Sequence, residues 1–198
     1  MLIILFGLAG SGKGTQGKAL SEIFGWRSLS VGQAIRDTGG YTEATNKGEL
    51  IPDEDVINLM NRQIEKAEAE GFDVILDGYP RTAAQAEYIV NNMAEKIDGA
   101  IILEVPKEEL FNRLELRGRD DDKEKSSIER RFEIFEQNIC SILPLLNQVN
   151  IPVERVNGVG KIEEVTNRLV DVIKKFNPSA VEQINDVNGE ELEKSYGE

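Results

Sequence analysis

The sequence predicts an α/β protein with three layers, α/β/α, built on a five-stranded parallel sheet. Three observations point there. Short apolar runs recur at residues 2–6, 74–76, 100–103 and 153–156, with a weaker one at 27–29. Longer stretches with helical spacing lie between them. A glycine-rich turn stops the first run and leads into the first of those stretches. Alternating strand and helix build a parallel sheet covered on both faces.

Taken in order, Leu2-Ile3-Ile4-Leu5-Phe6 is apolar without alternation. That suits a central strand buried on both sides. Five residues without a charged lead are too short for a signal peptide or a membrane span. Two helices are well marked. Asp53 after Pro52 is the expected N-cap of one, with Val56, Met60, Ile64 and Ala67 at helical spacing up to Gly71. The other carries Ile128, Phe132, Phe135, Ile139, Ile142, Leu146 and Val149, a long core-facing stripe. Cys140 beside that stripe reads as a small core residue. Residues 1–175 are expected to form one domain, and 176–198 an acidic tail. The tail reads as solvated, with Val181, Ile184 and Leu192 leaving room for a short docked helix.

The chain of 198 residues has 36 acidic and 23 basic residues and a formal charge of -13. A field of that sign works against passive binding to nucleic acid or an anionic membrane, so neither is an expected partner. One cysteine and no histidine exclude a disulfide within the chain and a zinc site of the usual kind. A reducing, cytoplasmic location is expected, as is a monomer.

The strongest signal is Gly7-Leu8-Ala9-Gly10-Ser11-Gly12-Lys13-Gly14-Thr15. It contains G-x-x-x-x-G-K directly after an apolar strand and before a helix, the context a phosphate-binding loop requires. Glycines let backbone N–H groups turn into a concavity, the helix start adds a dipole, and Lys13 adds a full charge. The hydroxyl that commonly follows the lysine is displaced here: Gly14 stands in its place and Thr15 comes next. The metal would therefore be held mainly by phosphates and water.

From this loop onward the sequence resembles the adenylate kinase family of nucleoside monophosphate kinases, in its short-lid form. Gln16 continues the loop in the family manner. Leu29-Ser30-Val31-Gly32-Gln33-Ala34-Ile35-Arg36 resembles the segment that opens the monophosphate-binding insert, and Gly48-Glu49-Leu50-Ile51-Pro52-Asp53 the one that closes it. Asp77-Gly78-Tyr79-Pro80-Arg81-Thr82 with Gln85 is close to the family's most specific signature. The insert is expected at about 30–52 and a short lid at about 117–127. The resemblance covers roughly residues 1–175.

The resemblance implies ATP:AMP phosphotransfer giving two ADP, with Mg²⁺ and without zinc. ATP would lie against Gly10, Ser11, Gly12, Lys13, Gly14, Thr15, Arg113, Arg117 and Gly160. AMP would lie against Val31, Arg36, Glu49, Leu50, Ile51, Gly78, Tyr79, Pro80, Arg81, Gln85, Arg119 and Arg131. Lys13, Arg81, Arg117, Arg119 and Arg131 would act on the transferring group, and Asp77 would hold Mg²⁺ through water. Gln33 stands where a second carboxylate is common, and Val31 where a hydroxyl residue is. On the long helix Arg131 points along the apolar stripe and Arg130 nearly opposite. The spacing from Arg119 leaves both in play.

Three other readings compete. A UMP/CMP or broad-specificity kinase would keep the loop, but Thr82 and Gln85 favour AMP. A nucleotide-dependent switch would show an Asn-Lys-x-Asp segment, which the chain lacks. A module that binds nucleotide without turnover has the shortness of the insert in its favour, with eleven residues between Arg36 and Gly48.

Overall fold

The computed structural model describes residues 1–119 and 122–179. The chain alternates strand and helix from its first residues: β1 (Leu2–Phe6), α1 (Lys13–Phe24), β2 (Arg27–Ser30), α2 (Val31–Thr38), α3 (Thr42–Asn46), α4 (Asp53–Ala69) and β3 (Val74–Asp77). Then come α5 (Ala83–Asn92), β4 (Gly99–Glu104), α6 (Lys107–Arg117), α7 (Lys125–Gln148), β5 (Val153–Asn157) and α8 (Ile162–Phe176). The five strands form one sheet in the order β2-β3-β1-β4-β5, parallel at every pairing.

Every side chain of β1 is buried, and alternation along the strand sends them to two different cores. Leu2, Ile4 and Phe6 join the larger cluster, with Met60 and Ile64 of α4, Ile89 of α5 and Ile142 and Leu146 of α7. Ile3 and Leu5 join the other, with Leu20 of α1 and Leu169 and Ile173 of α8. This two-faced burial explains why the strand reads as an unbroken apolar run. A third, smaller cluster of Leu110, Leu114, Ile128 and Phe132 fastens α6 to the start of α7. At the other end of the chain, the Phe176 ring lies against the Gly99 backbone.

Two local expectations are corrected. The N-cap of α4 is Pro52, and Asp53 is its first residue. The Asp53 carboxylate instead accepts from Thr82 Oγ1 at 2.7 Å and Gln85 Nε2 at 2.8 Å, tying α4 to the start of α5. Cys140 is exposed rather than in the core, because it lies off the buried stripe of α7. Helix α8 ends at Phe176. The short helix expected over Val181, Ile184 and Leu192 lies outside the described residues. Among the described residues no helix is long and apolar enough to cross a membrane.

Candidate active site

The carboxyl ends of the parallel strands open on a cleft of about 1250 Å³. Open α/β sheets bind ligands at this edge. Strand β1 ends at Phe6, and the glycine-rich turn carries the chain to Lys13, the first residue of α1. Gly12 is the N-cap with φ 96°, a left-handed conformation that side chains disfavour. Its shape puts the N-terminus of α1 at the cleft floor.

Lys13 is held back against this turn. Its Nζ donates to the Gly7 and Leu8 carbonyls at 2.7 and 3.0 Å, with Ser11 Oγ at 3.5 Å. Burial pulls the Lys13 ammonium down to about 8. Asp77 opposes that shift, while Arg81, Arg117 and Arg131 add to it. These charges therefore act on one another across one cleft, with Arg81 itself exposed to solvent. Asp77 ends β3 beside the loop, only 7% exposed, and a Cβ on Gly14 would lie 3.6 Å from its Oδ2.

One end of the cleft is built around β3 and α2. Arg81 Nε donates to the Gly78 carbonyl at 3.0 Å, and Arg36 Nη2 donates to Gln33 Oε1 at 2.9 Å. Gln33 in turn donates to Asp37 Oδ1 at 2.6 Å. A Cβ on Gly32 would meet Arg81 Nη2 at 3.3 Å and Arg36 Nη1 at 3.5 Å, so the two planar forks converge on one point. Paired forks of this kind grip a phosphate in a fixed orientation.

Arg117 and Arg131 also face the cleft. Asp122 is buried and accepts from Arg117 Nε and Nη2 at 2.7 and 2.8 Å and from Arg131 Nη2 at 2.8 Å. Arg131 is turned inward from α7, and Arg130 is exposed. Arg113 is pinned by Glu109 Oε1 at 2.9 Å and by the Gly158 carbonyl at 3.3 Å. Gly160 borders the same region.

The cleft wall brings together Gly10, Ser11, Gly12, Lys13, Gly14, Thr15, Arg113, Arg117 and Gly160. The same wall includes Arg36, Glu49, Leu50, Ile51, Asp77, Gly78, Pro80, Arg81, Arg119 and Arg131. Val31, Tyr79 and Gln85 do not line it. Val31 and Tyr79 are fully buried in the larger core cluster. Gln85 is 1% exposed, accepts from the Arg81 backbone N–H at 2.7 Å and donates to Asp53. These three support the wall from behind.

Asp122 entered the sequence reading only with Asp121 beside Arg119, as part of the resemblance to the family's lid region, without a role of its own. Other contributors were passed over. Glu109 reads as a plain helix-surface residue. Phe135 and Ile139 of α7, whose spacing speaks only of core, line the cleft together with Asn138.

Among the described residues no three His, Cys, Asp or Glu groups stand together as a metal cluster. A single carboxylate, Asp77, beside a phosphate-binding loop fits a hard cation that takes most of its oxygen ligands from elsewhere.

A parallel sheet in this order, with a lysine-bearing loop at its carboxyl edge and a cleft lined by arginines, defines a phosphate-loop nucleotide-binding protein. The family model described as adenylate kinase matches residues 5–151. Adenylate kinase of Porphyromonas gingivalis is 32% identical, the alignment covering 88% of this chain and 96% of the relative. That of Thermus thermophilus is 31% identical, covering 84% and 94%, and that of Archaeoglobus fulgidus 31%, covering 89% and 99%. The chain belongs to the adenylate kinase family.

Proposed function

We propose that this chain transfers the terminal phosphoryl group of Mg-ATP to AMP, giving two ADP, as a monomer in the cytoplasm. The observation that carries the reading is the pairing of two phosphate grips in one cleft: the Lys13 loop at one end and the converged Arg36 and Arg81 forks at the other.

The acceptor is a phosphate oxygen, anionic at neutral pH, so the reaction needs no general base. This oxygen forms a bond to the γ-phosphorus as the bond to the ADP β-oxygen breaks. The work left to the protein is alignment and stabilisation of charge on the equatorial oxygens. Arg36 and Arg81 would fix the acceptor oxygen in line. Lys13, Arg117, Arg119 and Arg131 would face the migrating group. Loop N–H groups and the α1 N-terminus would cradle the donor phosphates, and Arg113 and Gly160 would flank the donor base. Mg²⁺, carried with ATP and reached by Asp77 through water, would neutralise charge on the phosphates.

A second reading, a broader choice of acceptor base, rests on Gln85. Its amide is engaged by Asp53 and the Arg81 backbone behind the cleft wall, and buried Val31 offers no hydroxyl. The experiment for the main reading is Lys13→Ala. The variant is expected to fold and to lose transfer; retained turnover would overturn the assignment.

A further inference from the structure

Gly48 closes the short insert at the point where it meets α7. Its backbone N–H donates to the Thr45 carbonyl at 3.0 Å, and it turns with φ 69°. A Cβ built there would lie 2.7 Å from the Ser127 carbonyl oxygen, 3.0 Å from Ser127 Oγ and 3.1 Å from Arg131 Cγ. Ser127 is 4% exposed in the first turn of α7. Its carbonyl also accepts from Arg131 Nε at 3.4 Å.

We infer that Gly48 is a positioning residue for Arg131: bare of a side chain, it lets the insert seat on Ser127 and on the Arg131 stem. The inference rests on reading the cleft as an ATP:AMP phosphotransfer site. Glu49 and Leu50, next in sequence, line the cleft, so the insert's position on the acceptor and the placement of Arg131 are linked. Arg131 is clamped along its length. Gly48 bears on the stem, Ser127 holds Nε, and Asp122 holds Nη2. A backbone oxygen cannot swing away from an added methyl as a flexible side chain can, so a residue larger than glycine must lift the insert or displace the arginine. A misplacement of about 1 Å in a positioning group can cost roughly a hundredfold in rate.

Two demands on Gly48 can be separated. Its φ alone excludes most side chains, but Asn tolerates this region far better than Ala. Gly71 has a similar φ of 79° with nothing within 4 Å of a built Cβ, outside the insert and the cleft. The test is steady-state kinetics and ATP binding for wild type, Gly48→Ala, Gly48→Asn and Gly71→Asn. Gly71→Asn is expected to match wild type. Both Gly48 variants are expected to lose roughly tenfold or more in kcat and to raise the AMP KM. Their ATP affinity measured without AMP should stay within about twofold, because no insert seating is needed there. Gly48→Asn with wild-type kcat and AMP KM would show that φ alone requires the glycine and would overturn the inference. So would a loss that extends equally to ATP binding. Wild-type turnover is measured first, and its absence would overturn the underlying reading as well.

Discussion

The Asp122 carboxylate stands between Arg117 and Arg131, within 2.8 Å of both guanidinium groups. It supplies negative charge to both arginines. Its side chain is 1% exposed, against 30% and 19% for its partners, so removing the charge leaves the cations poorly solvated.

Asp122→Asn keeps the shape and removes the charge. The free protein is expected to lose about 1–2 kcal/mol, less than for a fully buried pair because the arginines reach solvent. Bound ATP should restore the balance, since phosphate oxygens take over as partners. Thermal unfolding with and without Mg-ATP reads this directly: the ligand-induced rise should be larger in the variant. Equal rises would contradict it.

Lys13 makes nucleotide binding proton-linked. With the free ammonium at about 8, it is mostly charged at neutral pH and loses its proton as pH climbs past that value. A bound phosphate favours the charged form. Binding near pH 8.5 should therefore take up a proton, and affinity should fall as pH rises above about 8. Calorimetry in two buffers of different ionisation enthalpy measures the uptake. The stability sign is also set. The unfolded value is 10.5, so the unfolded chain binds more protons between about 8 and 10.5. This group's contribution to stability then rises with pH through that window.

Tyr79 is fully buried, and its hydroxyl has no hydrogen-bond partner among the described residues. Burial drives its ionisation far above the ordinary value. An unpaired buried polar group carries its desolvation cost uncompensated. Tyr79→Phe is expected to raise unfolding free energy by about 1 kcal/mol, measured by chemical denaturation. A loss of that size would reveal a partner for the hydroxyl.

Arg131 and Arg130 should separate cleanly. Arg131→Ala is expected to lower kcat by roughly a hundredfold, the scale of losing one donor to a charge-developing group. Arg130, exposed on the far side of α7, should tolerate Ala with kcat within about twofold. Reversal of the two effects would move the role to Arg130.

Much of this was legible because some residues have one structural use. Buried strands show as apolar runs, and a glycine-rich turn ending in Lys13 has few other purposes. Arg81 was readable because it follows a buried strand at the ligand-binding edge. The inward direction of Arg131 followed from helical phase alone. What could not be read depends on contacts between distant segments. Gln85 has the residue type of a base reader, yet Asp53, 32 residues away, takes its amide. Asp122 sits in a charge run whose ordinary reading is a solvated loop. The meeting of Gly48 with Ser127 joins two segments whose local patterns say nothing of each other.

The central claim is tested most directly by mixing Mg-ATP separately with AMP, dAMP, CMP, UMP and GMP and measuring diphosphate formation. Rapid ADP production with AMP, far exceeding the pyrimidine and guanine acceptors, is the result this account predicts. ATP binding without transfer to any acceptor would contradict it.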